Sequence, residues 1–290
     1  MPVWTLPVVV ALLWSITPLL AFGFAGDPII RFVQKLPIMA RLILPALLGV
    51  PYALAGSGWN RGHWLVIYFG LPIVFAVLLL HASQYDPQQR GDWRDFTVLL
   101  LLGLAVDLRW FEPAWPAHLS VISKLILLDS GLYGFLVIRQ LTNVGFDLRM
   151  RISDLVTGLR ELLFFAPIAI PLGLALGFLH FQVRMPKAGA AGSTLLFTFF
   201  LIAIPEEIFF RGWMQNLLER RLGPRVALVV TALIFGLSHF NKRAIHFNWR
   251  YVLLATIAGI FYGRAWRSRH RVAASAVTHA CVDTVWALWL

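Results

Sequence analysis

The sequence has little charge and almost no cysteine. Charged residues make up only 13% of its 290 residues, and Cys281 is its one cysteine. A single cysteine excludes an internal disulfide and a metal site built from several thiolates. No internal repeat and no low-complexity linker is visible in the sequence, which argues against a solenoid and against soluble domains joined by linkers.

What the chain has in abundance is apolar residues. Hydrophobic residues account for 59% of the chain and the mean hydropathy is +0.74, well above what a soluble domain needs to fill its core. A helix that crosses a bilayer needs about 20 such residues, and several runs are long enough. The sequence therefore predicts an all-α fold, a polytopic transmembrane helix bundle of about 9–10 spans. The apolar runs lie near 3–24, 36–56, 64–82, 118–138, 160–181, 193–211, 226–241, 250–266 and 272–290, with a shorter run at 95–108.

The net charge of +11 does not indicate a nucleic-acid partner. Basic residues fall in the short loops between the predicted helices and form neither one amphipathic face nor a patch interleaved with aromatic residues. Lysine and arginine concentrate in the cytoplasmic loops of membrane proteins, so topology explains the charge.

Two adjacent glutamates follow an uncharged apolar run. Residues 195–204 carry no charge, and Glu206 and Glu207 come next, with Arg211 four residues after the second glutamate. An ionisable residue at membrane depth costs several kcal/mol unless it is paired or hydrated, so such a cluster indicates a functional site. In an α-helix Glu207 and Arg211 share a face, whereas Glu206 lies on another. We expect the arginine to hold Glu207, and Glu206 to act as a general base.

Two histidines lie in later apolar segments. Phe235 precedes His239 by one helical turn, and His279 precedes Asp283 by the same interval. A glutamate and two histidines from three helices can converge on one water molecule. The same residues suit a zinc site, although no H-E-x-x-H pattern is present, or a proton relay in a transporter. The residues alone leave these alternatives open, with the metal-free site favoured.

Taken together, the motifs resemble a known family, the intramembrane glutamic proteases, which include the type II CAAX prenyl endopeptidases and the bacterial CAAX-protease and bacteriocin-processing group. The family pattern is two glutamates, three residues and an arginine; then phenylalanine, three residues and histidine; then histidine, three residues and asparagine or aspartate. The resemblance covers roughly residues 190–288. The matching positions are Glu206, Glu207 and Arg211, then Phe235 and His239, then His279 and Asp283.

This resemblance implies an intramembrane endopeptidase that uses neither a metal nor another cofactor. Glu206 and His239 would activate the water that attacks the scissile carbonyl, and His279 with Asp283 would stabilise the oxyanion. An ionised aspartate cannot donate a hydrogen bond, so Asp283 is either protonated or a partner that orients His279 and favours its imidazolium form, and we expect the second role. The supporting residues are Glu207, Arg211 and Phe235.

The distribution of ionisable residues within the apolar segments divides the chain near residue 190. Residues 1–190 are transmembrane helices with few ionisable groups and a candidate region for substrate docking, and residues 191–290 hold the protease core. The implied partner is a membrane-associated protein or peptide in a lipid bilayer, and we expect the cytoplasmic (inner) membrane of a bacterium. The alternatives are a zinc-dependent intramembrane protease and a non-enzymatic transporter or scaffold on the same bundle. The sequence determines neither the substrate nor the oligomeric state.

Overall fold

The protein folds into helices throughout the part that the structure describes. A computed structural model describes residues 4–57, 60–182, 188–242 and 246–290; the first residue of the predicted span 3–24 lies outside these ranges. Within them every regular element is a helix, so the predicted all-α fold is confirmed. Contacts between Cα atoms divide the chain into two compact units, Met1–Thr142 and Asn143–Leu290.

The first unit consists of long and short helices joined by tight turns. A 3₁₀ segment, Leu44–Gly49, joins its second helix to its third, and a π-helical segment, Tyr133–Ile138, continues its sixth. The core contains Tyr52 stacked on Tyr68, with ring centroids 4.5 Å apart. The α-helices of this unit are α1 (Leu6–Val33), α2 (Ile38–Ile43), α3 (Val50–Ala55), α4 (Arg61–Tyr85), α5 (Trp93–Asp107) and α6 (Val121–Leu132).

A buried arginine connects several helices of the first unit. The Nε of Arg139 donates to Asp95 Oδ1 at 2.8 Å, and its Nη2 donates to Asp86 Oδ2 at 2.7 Å. Asp95 lies in the first turn of α5, where it forms a capping box with Asp92. Because the guanidinium faces two carboxylates, these charges compensate one another, and the cluster holds the unit together.

The second unit contains the residues of the three sequence motifs. Two π-helical segments, Phe199–Ala203 and Ile208–Gln215, join α8, α9 and α10 into one continuous helix. The central element is α12, which packs against α7, α11 and α13. The α-helices of this unit are α7 (Ile152–Ala175), α8 (Ala188–Thr198), α9 (Ile204–Glu207), α10 (Asn216–Leu222), α11 (Pro224–Leu237), α12 (Trp249–Arg269) and α13 (Val272–Trp289).

Two glycines allow α11 and α12 to approach closely. A Cβ on Gly236 would collide with the side chain of Thr256, and a Cβ on Gly259 would lie 3.0 Å from the Cα of Ala232. Glycine is therefore required at position 236 for this packing distance, and a larger residue at position 259 would be in tight contact with α11. The close approach also leaves the carbonyl of Gly259 open to a side chain from another helix, Arg211.

Six helices in the described ranges are long and apolar enough to cross a membrane, which supports an integral multi-pass membrane protein. The segment Pro224–Leu237 is apolar but shorter. The remaining predicted spans also form helices: α5 has only 15 residues, α12 carries several arginines, and α13 carries His279 and Asp283. How many of the predicted 9–10 segments cross the bilayer stays a prediction. The six helices are Leu6–Val33, Ile38–Ala55, Arg61–Tyr85, Ala117–Ile138, Ile152–Ala175 and Gly189–Leu222.

The boundary between the two compact units lies between residues 142 and 143. The distribution of ionisable residues along the sequence predicted a functional division near residue 190. The difference concerns α7, which packs against α12 and α13 and so belongs with the second unit. The sequence argument followed the distribution of ionisable groups, and most of α7 lacks them. The assignment of substrate docking to residues 1–190 stays a prediction.

Candidate active site

Glu207 lies at the centre of a buried hydrogen-bonding network. Its side chain is fully buried, with 0% of its surface exposed. Oε2 accepts a hydrogen bond from the hydroxyl of Ser275 and lies 3.1 Å from Arg211 Nε, while Oε1 lies 2.8 Å from His279 Nδ1. Burial of a carboxylate is costly unless it is paired and hydrogen-bonded. Here the arginine supplies the opposite charge, and the serine and histidine supply hydrogen bonds.

Arg211 is fixed from several sides. Its Nη2 donates to the carbonyl of Gly259 at 3.0 Å, and its guanidinium lies 4.7 Å from the ring centroid of Phe235. The segment from residue 208 to 215 is π-helical where the sequence predicted a continuous α-helix. Glu207 and Arg211 nevertheless touch, and the π segment is of the kind often found at functional sites.

His279 is oriented by two neighbours. Because a carboxylate only accepts hydrogen bonds, the contact with Glu207 assigns a proton to Nδ1. The ring of Tyr262 stacks on the imidazole, with centroids 4.6 Å apart and planes inclined by 17°. Nε2 points the other way, 3.9 Å from Glu206 Oε2 and 3.6 Å from Asp283 Oδ2. This second nitrogen is the one available to a substrate.

Asp283 lies one turn after His279 and places its Oδ2 near the imidazole Nε2. The distance of 3.6 Å to Nε2 exceeds that of a hydrogen bond, and Glu207 holds the other nitrogen. Glu207 is therefore the residue that orients His279. The side chain of Asp283 is 31% exposed, and its Oδ2 lies within ion-pair distance of the imidazole. The expectation considered neighbours within one helix, whereas the orienting carboxylate comes from another.

Glu206 has an environment unlike that of Glu207. Its side chain is 28% exposed, yet Oε2 is buried and has no hydrogen-bond partner among the described residues. The distance of 3.9 Å to His279 Nε2 is too long for a direct hydrogen bond. A carboxylate oxygen free to accept a proton is what a general base requires.

His239 lies just beyond the end of α11. The helix ends at Leu237, and the Nδ1 of His239 lies 2.8 Å from the carbonyl oxygen of Phe235. A carbonyl only accepts hydrogen bonds, so Nδ1 carries a proton, and in the neutral form of the ring the lone pair is on Nε2. The imidazole lies between Phe235 and Tyr251, at centroid distances of 4.9 Å and 4.7 Å.

Sequence reasoning missed Ser275, Tyr262 and Tyr251. Ser275 lies one turn before His279, so helical spacing would have placed it on the same face. Its single hydroxyl proton goes to Glu207, although the carbonyl of Tyr262 also lies 2.9 Å away. Both tyrosines belong to α12, which carries none of the three motifs, and nothing in their spacing connected them with the histidines.

Another buried arginine, Arg271, fixes the beginning of α13. Arg271, the residue before the helix, donates from Nε to Asp154 Oδ1 at 2.7 Å and from Nη1 to Asp147 Oδ2 at 3.2 Å. Burial favours the neutral form of Asp147, but hydrogen bonds from Arg149 and Arg271 outweigh that effect, and the pKa of Asp147 is lowered. These contacts fix the start of the helix that carries His279.

An apolar cavity of about 90 Å³ lies beside the two histidines. His239, His279 and Asp283 contribute to its wall, and most of the remaining lining is apolar and comes from α7, α12 and α13. A second pocket, of about 490 Å³, shares Phe178 and Trp286 with this cavity. The cavity therefore adjoins both histidines and Asp283, whereas Glu206 is not among the residues that line it.

The residues of all three motifs lie in the second compact unit. The segment that contains them was compared with models of known protein families. Residues 189–285 match the family model of Rce1-like type II CAAX prenyl endopeptidases. The match confirms the resemblance drawn from the motifs and supports intramembrane protease activity. Comparisons with curated proteins and with solved structures found no match. The Rce1-like segment includes every motif residue, from Glu206 to Asp283.

Proposed function

We propose that the protein is an intramembrane endopeptidase that hydrolyses a peptide bond of a membrane-associated protein or peptide with a water molecule activated without a metal. One observation carries the proposal: Glu206 Oε2, buried and without a hydrogen-bond partner in the described chain, faces His279 Nε2 at 3.9 Å. The family match supports the reaction class.

In this proposal Glu206 removes a proton from the attacking water, and His239 assists through the lone pair on its Nε2. The developing negative charge on the carbonyl oxygen is stabilised by His279, which in its protonated form donates from Nε2. A buried site with a low dielectric makes such a fixed donor more effective than it would be in water. Phe235, which contacts both imidazoles, helps to position them.

In this proposal, Glu207 and Asp283 have one each of the two roles that the sequence analysis gave to Asp283 alone: Glu207 orients His279, and Asp283 favours its imidazolium form. Glu207 holds the Nδ1 proton of His279 and fixes the ring, as the buried aspartate does in the triads of serine hydrolases. Asp283 lies near the opposite nitrogen, where its negative charge stabilises a positive imidazolium. Arg211 keeps Glu207 ionised and in place.

The first alternative is a zinc-dependent protease that uses the same side chains. Among the described residues, no group of three or more His, Cys, Asp and Glu side chains is arranged to hold a metal ion. The orientation of His279 Nε2 toward two carboxylates still makes a direct test necessary, because catalytic zinc commonly takes three protein ligands and a water.

Cleavage by the purified protein in proteoliposomes should persist in 1,10-phenanthroline, and elemental analysis should find zinc well below one atom per chain. A zinc-dependent protease treated in parallel should lose its activity, which controls for the chelator. Activity that chelation abolishes and added zinc restores would replace the metal-free proposal with the zinc alternative.

We further infer that residues 1–190 contribute to substrate docking, that the protein resides in the cytoplasmic (inner) membrane of a bacterium, and that it is a protease and not a transporter or scaffold. The position of α7 supports the first point, because this helix lies within that range and lines the cavity beside His279. Against a transporter, the family model that matches residues 189–285 is that of an endopeptidase.

A further inference from the structure

We infer that Tyr262 is a further catalytic residue, whose hydroxyl donates a hydrogen bond to the oxygen of the scissile carbonyl as negative charge develops there. The inference rests on the proposed protease function and adds a second donor to the one that His279 supplies. Tyr262 belongs to α12, which carries none of the three motifs. Phenylalanine at this position would keep the aromatic ring and lack only the hydroxyl, so donation by the hydroxyl is separable from packing of the ring.

Attack on the carbonyl creates a negatively charged oxygen. The oxygen of water bonds to the carbonyl carbon, one proton of that water passes to Glu206, and the π electron pair moves onto the carbonyl oxygen. Collapse restores the carbonyl, breaks the bond to nitrogen and transfers the proton from Glu206 to the leaving amine. Between these steps the oxygen can accept more than one hydrogen bond, and His279 Nε2 supplies one. A second fixed donor beside His279 would stabilise this state further.

Asp283 does not supply that second donor. Its Oδ2 lies 3.6 Å from His279 Nε2. An ionised carboxylate only accepts hydrogen bonds, and its charge repels the negative charge that develops on the carbonyl oxygen. A neutral donor on the same side of the imidazole would offset this repulsion.

The ring of Tyr262 places its hydroxyl on that side. The ring stacks on the imidazole of His279, with centroids 4.6 Å apart and planes inclined by 17°. The backbone carbonyl of Tyr262 lies 2.9 Å from the hydroxyl of Ser275, which donates to Glu207. Because Glu207 contacts Nδ1, the main chain of Tyr262 lies toward that nitrogen. The side chain extends from there across the imidazole, so its hydroxyl lies toward Nε2, the nitrogen available to a substrate.

The hydroxyl of Tyr262 is free to donate. Tyr262 is 1% exposed and lines the cavity beside the two histidines, which is open to its surroundings. Within the described ranges its hydroxyl forms no hydrogen bond, and the one hydrogen-bonding contact of this residue outside its helix is that of the backbone carbonyl with Ser275. A buried tyrosine hydroxyl usually has a partner. An unused hydroxyl beside His279 therefore indicates a partner that the substrate supplies.

The other neutral donors in the cavity wall lie beside His239. The ring of Tyr251 is 4.7 Å from the imidazole of His239, and Trp286 packs against Tyr251 at 5.2 Å. The proton on Nδ1 of His239 is directed to the carbonyl of Phe235. Among the donors of this wall, Tyr262 is thus the one that stacks on the proposed oxyanion-binding histidine.

The first test removes the hydroxyl. A peptide set, in which an apolar membrane anchor precedes randomised residues, is incubated with the full-length protein in proteoliposomes, and the member cleaved fastest is used for kinetics. Tyr262→Phe should lower kcat by about 10²–10³-fold, the loss typical of one oxyanion donor. KM should change less than about threefold, because the uncharged carbonyl gains little from the donor. The melting temperature in detergent should not change, since the hydroxyl has no partner in the protein.

The matched control is Tyr85→Phe. Tyr85 is 69% exposed in the first unit, and its substitution removes the same hydroxyl group away from the motif residues. This variant should keep both kinetic constants of the wild type.

The second test compares binding of a tetrahedral analogue with binding of the peptide. The analogue is a phosphonate version of the cleaved peptide, whose charged oxygens occupy the place of the oxyanion. Its Kd should rise at least about tenfold in Tyr262→Phe, because the lost donor acts mainly on the tetrahedral state. The Kd of the uncleaved peptide, measured in Glu206→Gln with and without Tyr262→Phe, should stay the same.

The outcomes that contradict the inference are distinguishable. If the wild type cleaves no member of the peptide set, the proposed protease function fails and the inference falls with it. If the wild type cleaves but Tyr262→Phe keeps more than about a third of its turnover, the hydroxyl is not a donor and the protease function stands. Equal weakening of phosphonate and peptide binding, or a lowered melting temperature, would assign Tyr262 a structural role instead.

Discussion

Glu206→Gln should lower the turnover number by about 10²–10⁴-fold, the contribution typical of a general base, and should leave the protein folded. The amide keeps the shape of the side chain but does not accept a proton from water at neutral pH. Because Oε2 of Glu206 has no hydrogen-bond partner in the described chain, the substitution removes no hydrogen bond from that oxygen. Initial rates on a cleaved peptide and thermal unfolding in detergent measure the two parts of this prediction.

The matched control for Glu206 is Glu112→Gln. Glu112 pairs with Lys124 at 3.0 Å in the first unit, so this variant undergoes the same chemical change away from the motif residues. It should keep turnover close to that of the wild type. If Glu206→Gln retained more than about a tenth of wild-type turnover, a loss smaller than a general base explains, Glu206 would not be the base.

Arg211→Ala should destabilise the protein by about 3–5 kcal/mol, the usual cost of removing one partner of a buried ion pair. Both side chains of the Glu207–Arg211 pair are 0% exposed, so the substitution removes the arginine charge from a buried carboxylate and leaves His279 as its one remaining ionisable partner among the contacts described above. It also removes the hydrogen bond to the carbonyl of Gly259. Activity should fall as well, because Glu207 then holds His279 less firmly. The measurement is the free energy of unfolding in detergent.

Two comparison variants separate the buried charge from other effects of Arg211→Ala. Arg149→Ala removes an arginine whose side chain is 69% exposed, and we expect it to cost less than about 1 kcal/mol. Adding Glu207→Gln to Arg211→Ala removes the unpaired charge and should restore part of the lost stability. An Arg211→Ala protein that melts like the wild type but is inactive would indicate that the arginine binds substrate and is not a structural partner.

Much of the fold follows from the distribution of apolar residues. Each predicted apolar run forms a helix, including the short one at 95–108, which corresponds to α5. No feature of the sequence predicted the π-helical segments, because their i→i+5 hydrogen bonds depend on packing against other helices and not on local propensity. The end of α11 at Leu237, before His239, was likewise missed, since the apolar run continues past it.

Within the candidate site, contacts inside one helix were predictable and contacts between helices were not. The pairing of Glu207 with Arg211 follows from spacing along one helix. The contact between Glu207 and His279 joins residues 72 positions apart, and its distance depends on how α9 and α13 pack. For the same reason the stacking of Tyr262 on His279 could not be derived from the sequence. Residue types predicted a cluster of ionisable side chains, while tertiary packing determined which carboxylate contacts which nitrogen.

The most direct measurement is the mass of the products formed when purified full-length protein in proteoliposomes is incubated with a membrane-associated peptide. The proposed function predicts two fragments whose masses sum to that of the substrate plus one water molecule, formed by the wild type and nearly absent with Glu206→Gln. The absence of fragments with the wild type across the peptide set, or their formation at equal rates by Glu206→Gln, would contradict a glutamate-dependent intramembrane protease.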